Sequence, residues 1–159
     1  MLLYSAASTI TCTLASLASA GSARECTVVT NTATRYDDAY VTMTITAQTG
    51  TAPGGDKALY IYFYSAGSGT DYTSPATGSD ATIAVTSPNN FYGPAVMTFQ
   101  SSAAGLNSLN LAIPSVANFF GGILPAKWGM IFQNSTGMLM SATAGNHSVA
   151  YVGITFTTS

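Results

Sequence analysis

The chain has 159 residues, 47% of them hydrophobic, with four Lys and Arg, six Asp and Glu, and a formal net charge of −2. Charged residues make up 6% of it, against roughly 25% in an ordinary soluble domain. The cations Arg24, Arg35, Lys57 and Lys127 are scattered, which excludes binding nucleic acid through a phosphate-facing basic patch.

One domain spanning residues 1–159 is expected, because a chain this long buries about 68–70% of its unfolded surface. Met1-Leu2-Leu3 and the small-residue run Leu14 to Ala20 have the outline of an export leader. No Lys or Arg occurs before Arg24, so a leader is not expected. No membrane span is expected either. The most apolar stretch, Phe119 to Phe132, is broken by Gly121-Gly122, Pro125 and Lys127 and is too short.

The dominant period is two. Thr9 to Leu14 alternates polar and apolar residues, as do Val41 to Thr46 and Ile154 to Thr157. Each run predicts a half-buried antiparallel strand with threonine outward. Threonine suits this position because its β-branched carbon favours extended backbone. Further strands are predicted at Glu25–Thr30, Leu59–Ser65, Ala81–Thr86, Ala95–Ser101, Ser108–Ile113, Gly129–Asn134 and Ser148–Val152. Turn chemistry separates them at Gly50 to Gly55, Gly67 to Gly78, Ser87 to Asn90 and Asn134 to Gly137. A short helix is predicted from Pro114 through Phe120, stopped by Gly121-Gly122. The pattern defines an all-β chain, an antiparallel β-sandwich or jelly roll with one short helix. The loop Ala66 to Asp80 is the expected exposed excursion.

Cys12 and Cys26 both fall at inward positions. A bridge would close a loop of about 15 residues and add roughly 3 kcal/mol. With nothing else marking an oxidising compartment, two buried free thiols are the expectation.

Chemistry-bearing residues are few. His147 has no second His or Cys beside it and no carboxylate follows Asp80, so neither a metal site nor a Ser-His-acid triad is expected. Asp37-Asp38 lacks the spacing of a calcium loop and is read as a turn cap, neutralised locally by Arg35. Asp71 and Asp80 flank one loop and are the weak candidates for paired-carboxylate hydrolysis. Asn134-Ser135-Thr136 and Asn146-His147-Ser148 match the glycosylation sequon, as two chance matches in an Asn/Ser/Thr-rich chain would. Trp128, the single tryptophan, is expected in the core. No catalytic residue, metal or cofactor is expected.

The aromatic residues say more. In Tyr60 to Tyr64, Ile61 and Phe63 share one strand face and Tyr60, Tyr62 and Tyr64 the other. Both faces are bulky. The tyrosines therefore either meet a neighbouring subunit or lie under the protein's own loops. With Phe119 and Phe120, they are the candidate interface residues. A surface of small uncharged side chains also loses little conformational entropy when a neighbour covers it.

Several segments carry a resemblance: Thr9 to Leu17, Ala23 to Thr27, Asn31-Thr32, Tyr36 to Ala39, Thr70 to Thr73 and Ala76 to Gly78. It continues through Phe120 to Gly129, Asn134 to Gly137 and Tyr151 to Ile154. In this order they resemble a family of small tailed-bacteriophage virion structural proteins, over nearly the whole chain. The resemblance implies a protein encoded among head and tail genes, with no catalytic residues. It implies that no conserved disulfide is needed, since Ser is expected where Cys26 stands. The functional expectation is a capsid decoration (cement) protein, placed in the virion after assembly in the host cytoplasm. Its partners would be the major capsid protein or other virion proteins and further copies of itself, trimers being the form expected. The alternatives are a tail, neck, collar or fibre-base component and a carbohydrate-binding β-sandwich. An enzyme is the least expected class.

Overall fold

The computed structural model describes residues 1–48, 57–67, 69–99 and 107–157. Eleven strands occur among them: β1 (Leu2–Tyr4), β2 (Ser8–Thr9), β3 (Ser22–Glu25), β4 (Val29–Thr30), β5 (Asp38–Ala47), β6 (Ala58–Ala66), β7 (Ala81–Ile83), β8 (Tyr92–Thr98), β9 (Asn107–Ile113), β10 (Lys127–Ser135) and β11 (Ser148–Phe156). Single 3-10 turns lie at Pro88–Asn90, Ala117–Phe120 and Ala144–Asn146.

The strands form two antiparallel sheets. One runs β1-β11-β5-β9, with β2 also on β11. The other runs β7-β3-β10-β6-β8, with β4 also on β10. The pairing is nested. The first strands, β1 and β2, lie on the last, β11. Next, β3 and β4 lie on β10, then β5 on β9, then β6 on β8. A long double ribbon rolled across two sheets in this way is the jelly-roll arrangement. The fold is thus the expected antiparallel sandwich.

Alternation sorts the side chains. In β5, Val41, Met43 and Ile45 point into the core while Thr42 is exposed and Thr44 half-exposed. They meet Ile61 and Phe63 of β6 and Trp128, Met130 and Phe132 of β10. Burying each such side chain contributes about 1.5–3 kcal/mol. β10 is the middle strand of its sheet, and Trp128 through Phe132 are all buried. It reads as a continuous apolar run because both of its faces are covered.

The predicted helix is a 3-10 turn of four residues. It stops, as its glycines require, at Gly121, which takes the left-handed conformation with φ 77°. The two predicted strands near the C-terminus are one continuous strand, β11. Ladder pairing in the Thr9–Leu14 run ends at Thr9, and Glu25–Thr30 is divided between β3 and β4. The predicted turn at Gly50 to Gly55 and the last two residues of the predicted strand Ala95–Ser101 lie outside the described residues.

Candidate functional site: a bare threonine face and a strapped tyrosine layer

The outer faces of the two sheets differ. The β11-β5-β9 sheet presents Thr42, Thr44, Asn110, Ala112, Ser148 and Ala150, which line a shallow depression. The Thr44 hydroxyl donates to the Asn110 amide oxygen at 2.6 Å across β5 and β9. Small uncharged side chains thus occupy the middle of this face. At its edge, Leu2 and Leu3 of β1 are each 43% exposed, Tyr4 62% and Phe156 of β11 63%. An open apolar edge strand without Lys or Pro is a ready template for another chain.

The β3-β10-β6 sheet has an aromatic outer layer covered by the chain itself. Tyr64 and Tyr62 are buried, Tyr64 fully, in a second apolar cluster with Ala23, Phe91 and Ile131. Tyr72 stands edge-on to Tyr64 at 5.9 Å between centroids, and Phe91 packs on Tyr62 at 6.2 Å. Both covering residues come from the 66–91 segment. Of the two alternatives left open for this ladder, Tyr62 and Tyr64 therefore take the second and lie under the protein's own loops. Tyr60 is half-exposed and touches Tyr62 at 6.5 Å. Phe119 and Phe120 are half-buried and pack on the core. Phe119 stacks on Phe63 at 4.3 Å and Phe120 stands edge-on to Tyr92 at 4.8 Å.

The Ala66–Asp80 excursion is a strap rather than a free loop. Glu25, 1% exposed, accepts hydrogen bonds from the Thr77 N–H at 2.9 Å, from its hydroxyl at 3.1 Å, and from the Gly78 N–H. Asp80 accepts from the Thr13 hydroxyl at 2.6 Å and from the Arg24 Nε at 2.6 Å. Lys127 donates to the Gly69 carbonyl at 2.7 Å and lies over the Tyr72 ring. Sequence reasoning missed Glu25 altogether. Its position in a short strand between Arg24 and Cys26 carries no sign of a partner 52 residues away.

These contacts shift ionisation. Burial, then the negative charge of Glu25, push the Tyr64 phenol well above its ordinary range, and its hydroxyl donates to the Cys26 carbonyl at 2.8 Å. Burial likewise raises Tyr62. For Asp80 burial alone would raise the value, but the hydrogen bonds from Arg24 and Thr13 outweigh it and hold the carboxyl below the usual range. A depressed carboxylate adds stability that is fully present above the unfolded value of about 3.9 and lost as pH falls through the folded value. Asp80→Asn should therefore cost about 1–2 kcal/mol at neutral pH. In urea unfolding, the gap from wild type should close below about pH 4. A gap that does not change with pH would contradict the Arg24–Asp80 contact.

The remaining ionisable candidates hold backbone. Asp38 accepts from the Ala39 N–H at 2.7 Å and the Ala117 N–H at 2.8 Å, tying the 3-10 turn to β5. Asp37 accepts from the Phe156 N–H at 2.6 Å. Both cap backbone as expected, but without Arg35. The single ion pair among the described residues joins Arg24 to Asp80. His147 is half-buried. Its Nε2 lies 2.9 Å from the Ser141 carbonyl and its Nδ1 3.4 Å from the Thr46 N–H, which fixes the proton on Nε2.

No group of three His, Cys, Asp or Glu residues able to hold a metal occurs among the described residues. A concavity of about 500 Å3 between Tyr36, Leu124 and Phe156 is lined by neither Asp71, Asp80 nor His147. Trp128 is fully buried, as expected. Asn134 of the first sequon is also fully buried, and its amide donates to Leu17 at 3.0 Å and Met138 at 2.8 Å, which leaves it closed to a glycan.

The cysteines depart from expectation. Cys12 and Cys26 form a disulfide, with their Cα atoms 4.4 Å apart. That spacing is the close one of directly opposed antiparallel residues. The Thr27 N–H donates to the Thr11 carbonyl at 2.9 Å alongside the bridge.

No helix among the described residues is long and apolar enough to cross a membrane. No protein-family model matches the chain, and no curated protein matches it. The class that fold and surface define is an antiparallel β-sandwich with one uncharged open face.

Proposed function

We propose that the protein is a non-enzymatic virion structural protein of a tailed bacteriophage, and specifically a decoration protein of the capsid. The observation that carries the reading is the β11-β5-β9 face, a floor of Thr, Ser, Asn and Ala side chains bordered by an open apolar edge strand. Such a face is covered by a neighbour at little cost in side-chain entropy. With few charges around it, closely packed copies repel one another weakly. The β1 edge supports contacts between copies of the chain. The jelly-roll order adds an analogy of fold, since capsid domains use it, but so do lectins. Glu25, Asp37, Asp38, Asp80 and His147 all hold backbone, which leaves these groups little part in acid–base chemistry.

A protein that binds only the assembled lattice stabilises it by mass action. Particles lacking this protein should release their DNA at a lower temperature than complete particles, as followed by a DNA-binding dye during heating. Unchanged heat resistance would overturn the decoration role. Stoichiometry on a gel of purified particles separates the neighbouring reading: on the order of hundreds of copies for decoration, about six to a few dozen for a tail, neck or collar ring. The carbohydrate-binding reading loses its main platform with Trp128 in the core.

A further inference from the structure

The disulfide and the strap are parts of one device. Among the described residues, the hydrogen bonds that tie residues 77–80 to the rest of the chain all end within two residues of Cys12 or Cys26. Thr13, next to Cys12, gives Asp80 its N–H at 3.1 Å and its hydroxyl at 2.6 Å. Arg24 gives Asp80 its Nε at 2.6 Å and the Asp80 carbonyl its Nη2 at 2.9 Å. Glu25 takes the Thr77 and Gly78 N–H groups. The Val28 N–H donates to the Gly78 carbonyl at 3.1 Å. Asp80 thus bridges the two segments, one on each side of the S–S bond. Apart from that bridge, the 11–14 and 26–28 segments share the Thr27 to Thr11 hydrogen bond.

We propose that Cys12 and Cys26 are a redox latch for the strap whose Tyr72 covers Tyr64. In the dithiol form the 11–14 segment is held to the 26–28 segment by the Thr27 to Thr11 hydrogen bond without the covalent link, so it parts from Cys26 more often and carries Thr13 off Asp80. Arg24 and Glu25 then hold the strap without the opposing wall, and it opens more often from the tyrosine layer. Oxidation closes it by exchange with a small-molecule disulfide. One protein thiolate attacks a sulfur of that disulfide, forms a mixed disulfide and expels the first small thiol. The second protein thiolate then displaces the other small thiol and leaves the Cys12–Cys26 bond. Two protein thiols are oxidised, one small disulfide is reduced to two thiols, and the two protons lost by the protein go to those thiols. A chain made in a reducing cytoplasm and later released to oxidising surroundings would latch after release. The inference does not depend on the virion role.

Amide hydrogen exchange tests it on the full chain, oxidised with glutathione disulfide, reduced with dithiothreitol, and as the Cys12→Ser/Cys26→Ser variant. Protection of the Thr77 and Gly78 amides should fall about tenfold or more in both thiol-free and reduced forms, while Ile61 and Phe132 in β6 and β10 fall much less. Unchanged protection at Thr77 and Gly78 would overturn the latch. So would an equal fall at all four positions, which means general destabilisation. Failure of glutathione disulfide to remove both free thiols from the folded chain would overturn it as well.

Discussion

Gly129→Ala should destabilise the protein by about 3 kcal/mol, although it adds a single methyl group. Gly129 in β10 is directly opposite Tyr64 in β6, and the tyrosine ring lies across it. A Cβ at position 129 would sit inside van der Waals contact with the ring's Cζ and hydroxyl oxygen. The ring cannot easily yield. Its hydroxyl is bonded to the Cys26 carbonyl at 2.8 Å, and Tyr72 stands against it under the strap. Moving it forfeits a buried hydrogen bond, about 1 kcal/mol, and repacks a full site, about 1–3 kcal/mol. In thermal unfolding the loss should appear as a Tm lowered by roughly 6–12 °C. Gly145→Ala is the control, since a Cβ there meets open space. A Gly129→Ala protein as stable as the control would mean that Tyr64 does not lie on the glycine. The same arrangement recurs where Tyr36 covers Gly153, so the chain uses glycine where a tyrosine needs a floor.

This explains what the sequence could reveal and what it could not. Alternation in Val41 to Thr46 predicted β5 and the outward Thr42 and Thr44 because one of its faces is open there, whereas Thr46 is buried and its hydroxyl donates to the Asn146 carbonyl at 2.8 Å. The Tyr60 to Tyr64 run showed that both faces of β6 are covered. It could not show by what, because the cover is fixed by Glu25–Thr77 and Thr13–Asp80 contacts across 52 and 67 residues. Those contacts join ordinary Glu, Asp and Thr residues with no local pattern. The cysteine pair failed for a similar reason. A separation of 14 residues is compatible with thiols or a bridge, and only the 4.4 Å approach of the two Cα atoms decides it. β1 was missed because Leu2–Tyr4 is too short to show a period and is exposed throughout. The threonine face was visible as composition, but its assembly into one surface came from the register of β5 with β9 and β11. The candidate surface was thus half legible: its chemistry could be read, its place could not.

Trp128 separates a structural from a ligand-binding role, and two substitutions should give unequal results. The indole is fully buried between the sheets and stands edge-on to Tyr151 at 5.6 Å. Trp128→Ala empties that volume and should cost about 3–5 kcal/mol, a large part of the roughly 5–15 kcal/mol that holds a domain together. Trp128→Phe should cost far less than its loss of volume suggests. The buried indole Nε1–H has no hydrogen-bond partner among the described residues, and leaving such a group unsatisfied costs about 1–3 kcal/mol. Phenylalanine removes that penalty along with some packing, so the net change should stay below about 1.5 kcal/mol. Urea unfolding followed by far-ultraviolet circular dichroism measures both variants without relying on tryptophan fluorescence. If Trp128→Ala left stability intact, the residue would be a surface platform and the sugar-binding reading would return. A large loss in the phenylalanine variant would mean that the indole N–H has an acceptor within the core. The expected order, alanine far below phenylalanine and phenylalanine near wild type, places the single tryptophan in the packing between the sheets. The threonine floor and the apolar β1 edge then remain the surfaces on which the proposed contacts with neighbours would form.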